Sequence, residues 1–139
     1  DWQSAMMLMQ GRGAPIDELQ GAAYSMAETL RGSGCWGDAS RLLVEYCRDT
    51  DEAVACLCEG RLFSEAARQA HLSKRGDLIE TTVHPALLAA HSSAVTEARN
   101  RLERLQYVVP RLKVVLEQEA AARPGGGGEG EDAPDDASQ

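Results

Sequence analysis

The sequence predicts an all-α protein, a solenoid of short antiparallel helices followed by one long C-terminal helix. Three observations predict it. Apolar residues recur at steps of three and four along most of the chain, with almost no alternating, strand-like run. Clusters of Gly, Asp, Ser and Pro interrupt that periodicity repeatedly up to Gly76. After Pro85 the interruptions cease, and one periodic run continues to Ala122.

The elements follow in order from their boundary residues. "DWQSAMMLMQ" has an acid at its start and ends against Gly11 and Gly13. "APIDELQGAAYSMAETLRG" carries Pro15 near its start and Asp17 and Glu18 in its first turn; Ile16, Leu19, Ala23, Met26, Ala27 and Leu30 form one apolar face. "WGDASRLLVEYCR" follows "GSG". "DTDEAVACLCEG" takes Asp49 or Thr50 as N-cap and Gly60 as the residue past its end, and "RLFSEAARQAHLSKRG" stops at Gly76 in a position suited to positive φ. Next comes a structural corner at Gly76 and Pro85. "DLIE" makes one turn, the β-branched "TTV" resists continuing it, and His84 is pushed out of the α region by the proline, which suits the first position of the next helix.

Three segments share a pattern of an aromatic, two polar residues and an alanine, at Trp2/Ala5, Trp36/Ala39 and Phe63/Ala66. The first two aromatics are 34 residues apart, the period of tetratricopeptide helix-turn-helix repeats; the second spacing is 27, so the repeat is irregular. Small residues at fixed places let neighbouring helices approach closely, and each helix pair leaves an apolar face for the next to cover. A tetratricopeptide-like solenoid of this kind is a binding scaffold more often than an enzyme.

In the long helix, Leu88, His91, Val95, Ala98, Leu102, Leu105, Val109, Leu112 and Leu116 alternate steps of three and four, a heptad register that places a narrow seam along one side. A seam on a helix of about 35 residues runs roughly 50 Å and needs a partner. The solenoid of the same chain, the same helix of a second chain, or each along a different stretch would serve. If Ala89, Ala90, Ala94 and Ala98 mark close packing on the preceding helices, the larger residues of the second half are left for a second copy. The candidate dimer contacts are therefore Val95, Leu102, Leu105, Val109, Leu112 and Leu116. Pro110 falls inside this helix and predicts a kink near Gln106.

Composition bounds the rest. With 139 residues and 43% hydrophobic content, the chain suits one domain with a modest core, residues 1–122. No stretch approaches the ~20 consecutive apolar residues of a membrane span, so a soluble protein is expected. The chain opens on Asp1 with no signal-peptide pattern, the expectation for a piece of a longer protein. The net charge of −8 is uneven: residues 123–139 hold one Arg against five acids, and this Gly-rich acidic tail has nothing to bury and is expected to be disordered. Within 85–122, Arg99, Arg101 and Arg104 form a weak basic stripe, a solvated face first and a candidate RNA contact second.

No catalytic constellation emerges, and no metal or cofactor is expected. Cys56 and Cys58 lie at i, i+2 on a helix and point to nearly opposite sides, and no C-x2-C knuckle is present with Cys35 and Cys47. His71, His84 and His91 have no ligand spacing, and no P-loop, nucleophile elbow or dinucleotide fingerprint occurs. Four reduced, partly buried structural thiols suit an intracellular compartment.

"DTDEAVACLCEGRLFSEAARQAHLSKRGDLIETTVHPALLAA" closely resembles the C-terminal helical domain of the elongator complex protein 1 (IKAP) family, the largest subunit of Elongator; "DWQSA" and "VVPRLKVVLEQ" extend the resemblance over about residues 1 to 120. The resemblance implies a non-catalytic scaffold, cytoplasmic or nuclear, that homodimerises and contacts other Elongator subunits. It also implies support of a complex that modifies the wobble uridine of transfer RNA at carbon 5, with the catalysis in another chain. The family carries a basic segment beyond its acidic linker, whereas this sequence ends in "EDAPDDASQ". Transfer RNA is thus expected as an indirect or weak partner of this segment. The alternatives are a helical-repeat module that grips a heterologous protein without dimerising, and direct RNA binding through the Arg stripe.

Overall fold

The structure, a computed structural model, describes residues 1–124. Six α-helices account for most of them: α1 (Trp2–Gly11), α2 (Ile16–Gly32), α3 (Trp36–Leu42), α4 (Thr50–Glu59), α5 (Phe63–Leu72) and α6 (His84–Ala122). Two π-helical turns, Leu43–Cys47 and Ile79–Val83, extend α3 and lead into α6, and no strand occurs among the described residues. All but Arg123 and Pro124 of the tail expected over 123–139 lies outside the described residues. The chain divides into two compact units, Asp1–Val95 and the part from Thr96 onward.

In the first unit each helix packs on its neighbour in sequence: α1 on α2, α2 on α3, α3 on α4, α4 on α5. This is the nearest-neighbour order of a solenoid. Alanines make it possible. Ala23 and Ala27 of α2, Ala39 of α3, Ala53 of α4 and Ala66 and Ala70 of α5 are all buried, while Trp2, Trp36 and Phe63 wedge beside them half-buried. One cluster joins Met6, Leu42, Leu43 and Cys56 to the alanines of α2 and α3; the other joins Val54, Leu57, Cys58, Leu78 and Val83 to those of α5. Ile16 departs from the expected face of α2 and is exposed.

The helix ends repeat as well. Asp1 caps α1 by accepting from the Gln3 amide at 3.1 Å, and Asp49 caps α4 by accepting from the Glu52 amide at 3.0 Å. Four of the short helices close with a residue in the left-handed region followed by an amide bonded five residues back: Ala14 to Met9, Cys35 to Leu30, Leu62 to Leu57 and Arg75 to Ala70. The left-handed residue is Gly13 or Gly34 in the first two, but Arg61 (φ 60°) and Lys74 (φ 56°) in the others, with Arg48 (φ 53°) ending the first π turn. Gly60 and Gly76 therefore do not hold the left-handed positions that the sequence suggests. A residue other than glycine there accepts the steric cost of its Cβ.

The corner before α6 also differs from expectation. "TTV" does not break the helix; Ile79–Val83 forms a π turn, and His84 at φ −61°, ψ −47° is in the α region despite Pro85. The His84 amide bonds to the Ile79 carbonyl, five residues back. His84 is held helical by the turn it closes, against the local pre-proline preference. Val83 and Leu78 are buried against α4 and α5, so tertiary packing holds this turn in place. Further along, α6 stays helical with Pro110 inside it, so that residue does not end the helix.

Candidate functional site

Among the described residues, the seam residues of α6 form an exposed stripe. Leu102, Leu105, Val109, Leu112 and Leu116 are each between 53% and 57% exposed, Val95 is half-buried, and no residue of α6 is buried. Val108 and Val115 widen the stripe on one side, and Tyr107 and Val114 carry apolar surface round to the far side. An exposed apolar patch of this extent marks an interaction surface. The small residues Ala89 and Ala94 are exposed and Ala90 is half-buried, so they do not mark tight packing.

The arginines do not form one stripe. At about 100° per residue, Arg99 and Arg101 are about 200° apart on α6, and only Arg101 and Arg104 lie close together. All three are exposed, and Arg101 is paired with Glu97 one turn back. The Arg111 guanidinium stacks 5.1 Å from the centre of the Tyr107 ring.

In the first unit the charged groups act as braces between helices, and the sequence gives no local signal for them. Arg31, at the end of α2 with its side chain only 15% exposed, reaches Glu28 at 2.9 Å, Glu52 at 2.6 Å and both oxygens of Glu59 at 2.7 and 2.8 Å. These bonds, Glu59 first and Glu52 second, push the Arg31 pKa up and tie α2 to both ends of α4. Arg75 grips Asp51 at 2.9 and 3.0 Å and Asp77 at 3.0 and 2.9 Å, and its hydrogen bonds hold the Asp77 carboxyl below its usual range. Tyr24 donates to Asp49 at 2.8 Å, which, with a smaller contribution from burial, pushes the phenol up to about 12.

Of the cysteines, Cys56 and Cys58 are buried and Cys47 half-buried, all with thiols pushed up by burial, whereas Cys35 is exposed rather than structural. A groove of about 700 Å³ runs past Cys35 along α3 and α5, lined by Trp36, Arg41, Val44, Leu62, Arg68 and Leu72 among others. It mixes polar and apolar walls and gathers no catalytic set. Gly76 sits in the turn after α5, and Pro85 is exposed in the first turn of α6. Among the described residues no helix is long and apolar enough to cross a membrane.

Residues 1–68 match the family model described as the ELP1 TPR domain. The chain is 31% identical over 116 residues to elongator complex protein 1 of Rattus norvegicus, covering 84% of this chain and 9% of that protein. To the Mus musculus protein of the same name it is 33% identical over 92 residues, 66% of this chain and 7% of that one. To that of Arabidopsis thaliana it is 26% identical over 118 residues, 85% and 9%. The chain thus spans less than a tenth of the length of these curated relatives. No solved structure matches it.

Proposed function

The chain belongs to the Elongator complex protein 1 family, and from that premise we propose that it is a non-catalytic scaffold segment that joins two copies of itself through the C-terminal half of α6. The observation that carries this reading is the exposed stripe from Leu102 to Leu116. Covering five half-exposed Leu and Val side chains on each copy contributes on the order of 1 kcal/mol per residue, enough to offset much of the cost of association. The solenoid of the first unit then presents its outer surfaces to other Elongator subunits. In this reading the segment supports transfer RNA wobble uridine modification by pairing copies of the complex and takes no part in the chemistry. The separation of Arg99 from Arg101 favours protein over RNA as the partner of this helix.

Light scattering across a dilution series tests the proposal: a species of twice the 15.0 kDa chain mass is expected at micromolar concentration, and a chain of single mass would sink it. Leu105→Asp with Leu112→Asp is expected to give a monomer of unchanged helicity, because the paired state would bury unpaired carboxylates. A second reading, capture of a heterologous peptide, is favoured by the groove along α3 and α5. It predicts that Leu62→Asp abolishes partner capture while leaving the chain mass unchanged.

A further inference from the structure

We infer that the two copies meet with their α6 helices antiparallel, the two-fold axis passing beside Val109, so that Glu119 of each copy meets Arg101 of the other and Glu117 meets Arg99. This rests on the dimer proposed above and adds its geometry and its recognition code.

Arg99, Arg101 and Arg104 lie at the start of the apolar stripe, with Glu97 and Glu103 among them, and Glu117 and Glu119 lie at its end, past Arg111 and Lys113. Arg101 and Glu119 are 18 residues apart, as are Arg99 and Glu117, and 18 residues make about five full turns of helix. Each cation therefore shares a flank of the stripe with one acid: Arg101 with Glu119 on one side, Arg99 with Glu117 on the other. The midpoints of the two pairs fall at Pro110 and Val108, either side of Val109, which is itself the middle residue of the stripe.

Two antiparallel helices bring like flanks together. A two-fold axis at Val109 then sets Glu119 within two residues' rise, about 3 Å along the axis, of Arg101, and Glu117 within the same distance of Arg99, on opposite sides of the contact. Leu116 comes level with Leu102, and Leu105 lies between the second copy's Leu112 and Leu116. A parallel arrangement does the reverse. It joins opposite flanks, so Arg99 would face Arg101 of the second copy and Glu117 would face Glu119, like charge on like at both ends. Among the described residues, neither Glu117 nor Glu119 has a cation within ion-pair distance in the single chain. Arg101 holds only Glu97, an exposed i, i+4 pair of little worth, so it is free to exchange partners.

Two experiments on the whole chain test this. Replacing Glu117 and Glu119 by Arg should raise the dimer dissociation constant by about fivefold or more, and adding Arg99→Glu with Arg101→Glu should restore it. Equal dissociation constants for all three proteins would overturn the arrangement, since a parallel pair repels in each. In a Cys35→Ser background, Leu102→Cys and Leu116→Cys chains should cross-link on mixing into the mixed disulfide, with neither variant linking to itself. Self-linked pairs of each variant would overturn the orientation and leave the dimer standing. A species of twice the chain mass that forms neither link overturns contact through α6, and a chain of single mass overturns the dimer itself.

Discussion

Replacing Gly60 with Ala separates packing from backbone preference at the end of α4. Gly60 has φ −73° and ψ 0°, a conformation that alanine adopts without strain. Judged on the backbone alone, the change should stabilise by about 0.4–1 kcal/mol, through the reduced freedom of the unfolded chain. Packing opposes it. A Cβ at Gly60 would lie 2.6 Å from Cδ1 and 2.8 Å from Cβ of Trp36, against an optimal carbon separation of about 3.5–4.0 Å.

Cβ and Cγ of Trp36, both also against the added carbon, lie on the axis of the outer torsion, so turning the indole moves Cδ1 but leaves those contacts unrelieved. Either Trp36 leaves its rotamer, at about 0.5–1.5 kcal/mol, or the start of α3 moves off α4. Overpacking of this kind costs about 1–3 kcal/mol, so the net expectation is a loss of roughly 0.5–2 kcal/mol. For a unit of this size each kcal/mol moves the melting temperature by about 4–8 °C. Thermal unfolding followed by circular dichroism should show a fall of several degrees. Gly21→Ala in mid-α2, where nothing lies within 4 Å of the added carbon, should raise the melting temperature instead. A Gly60→Ala protein as stable as Gly21→Ala would refute the packing argument.

Arg31→Met should destabilise by about 1–2 kcal/mol, because Glu28, Glu52 and Glu59 are left facing one another; the loss should shrink when Glu52→Gln and Glu59→Gln are added, as read by urea midpoints. Tyr24 has its pKa raised above the unfolded value of 10.0, so its contribution is complete below pH 10 and is lost as pH rises through about 12. In a spectrophotometric phenol titration the native protein should therefore show one late-ionising tyrosine that Tyr24→Phe removes. Under native conditions a maleimide should label one thiol quickly, the exposed Cys35, and reach buried Cys56 and Cys58 only on unfolding. Rapid labelling that persists when both Cys35 and the half-buried Cys47 are replaced by Ser would contradict the burial of Cys56 and Cys58.

The legible parts of this fold are those written within one or two helical turns. Asp49 reads as a cap because a carboxylate there reaches an amide three residues on, and Ala39 and Ala66 read as close-approach positions because each follows an aromatic at fixed spacing. The exposed apolar stripe of α6 is legible for the same reason. The corner is where local rules misled: "TTV" and the residue before Pro85 carry intrinsic preferences against helix, but burial of Leu78 and Val83 against α4 and α5 outweighs them and the chain passes through as a π turn. The left-handed ends at Arg61 and Lys74 were hidden because glycines stand beside them, at Gly60 and Gly76, and propensity alone favours the glycine.

What the sequence by itself determined is the helical content, the order of the elements, and the stripe and flanking charges of α6, since each is set by residues a few positions apart on one helix. Only the tertiary structure decided that Arg31 would gather three glutamates, that Gly60 is needed for Trp36 rather than for its own backbone angle, and that Cys35 is the exposed thiol. Those outcomes depend on which residues from distant parts of the chain arrive at the same place, and close packing and the pairing of charges settle that only once the helices have docked.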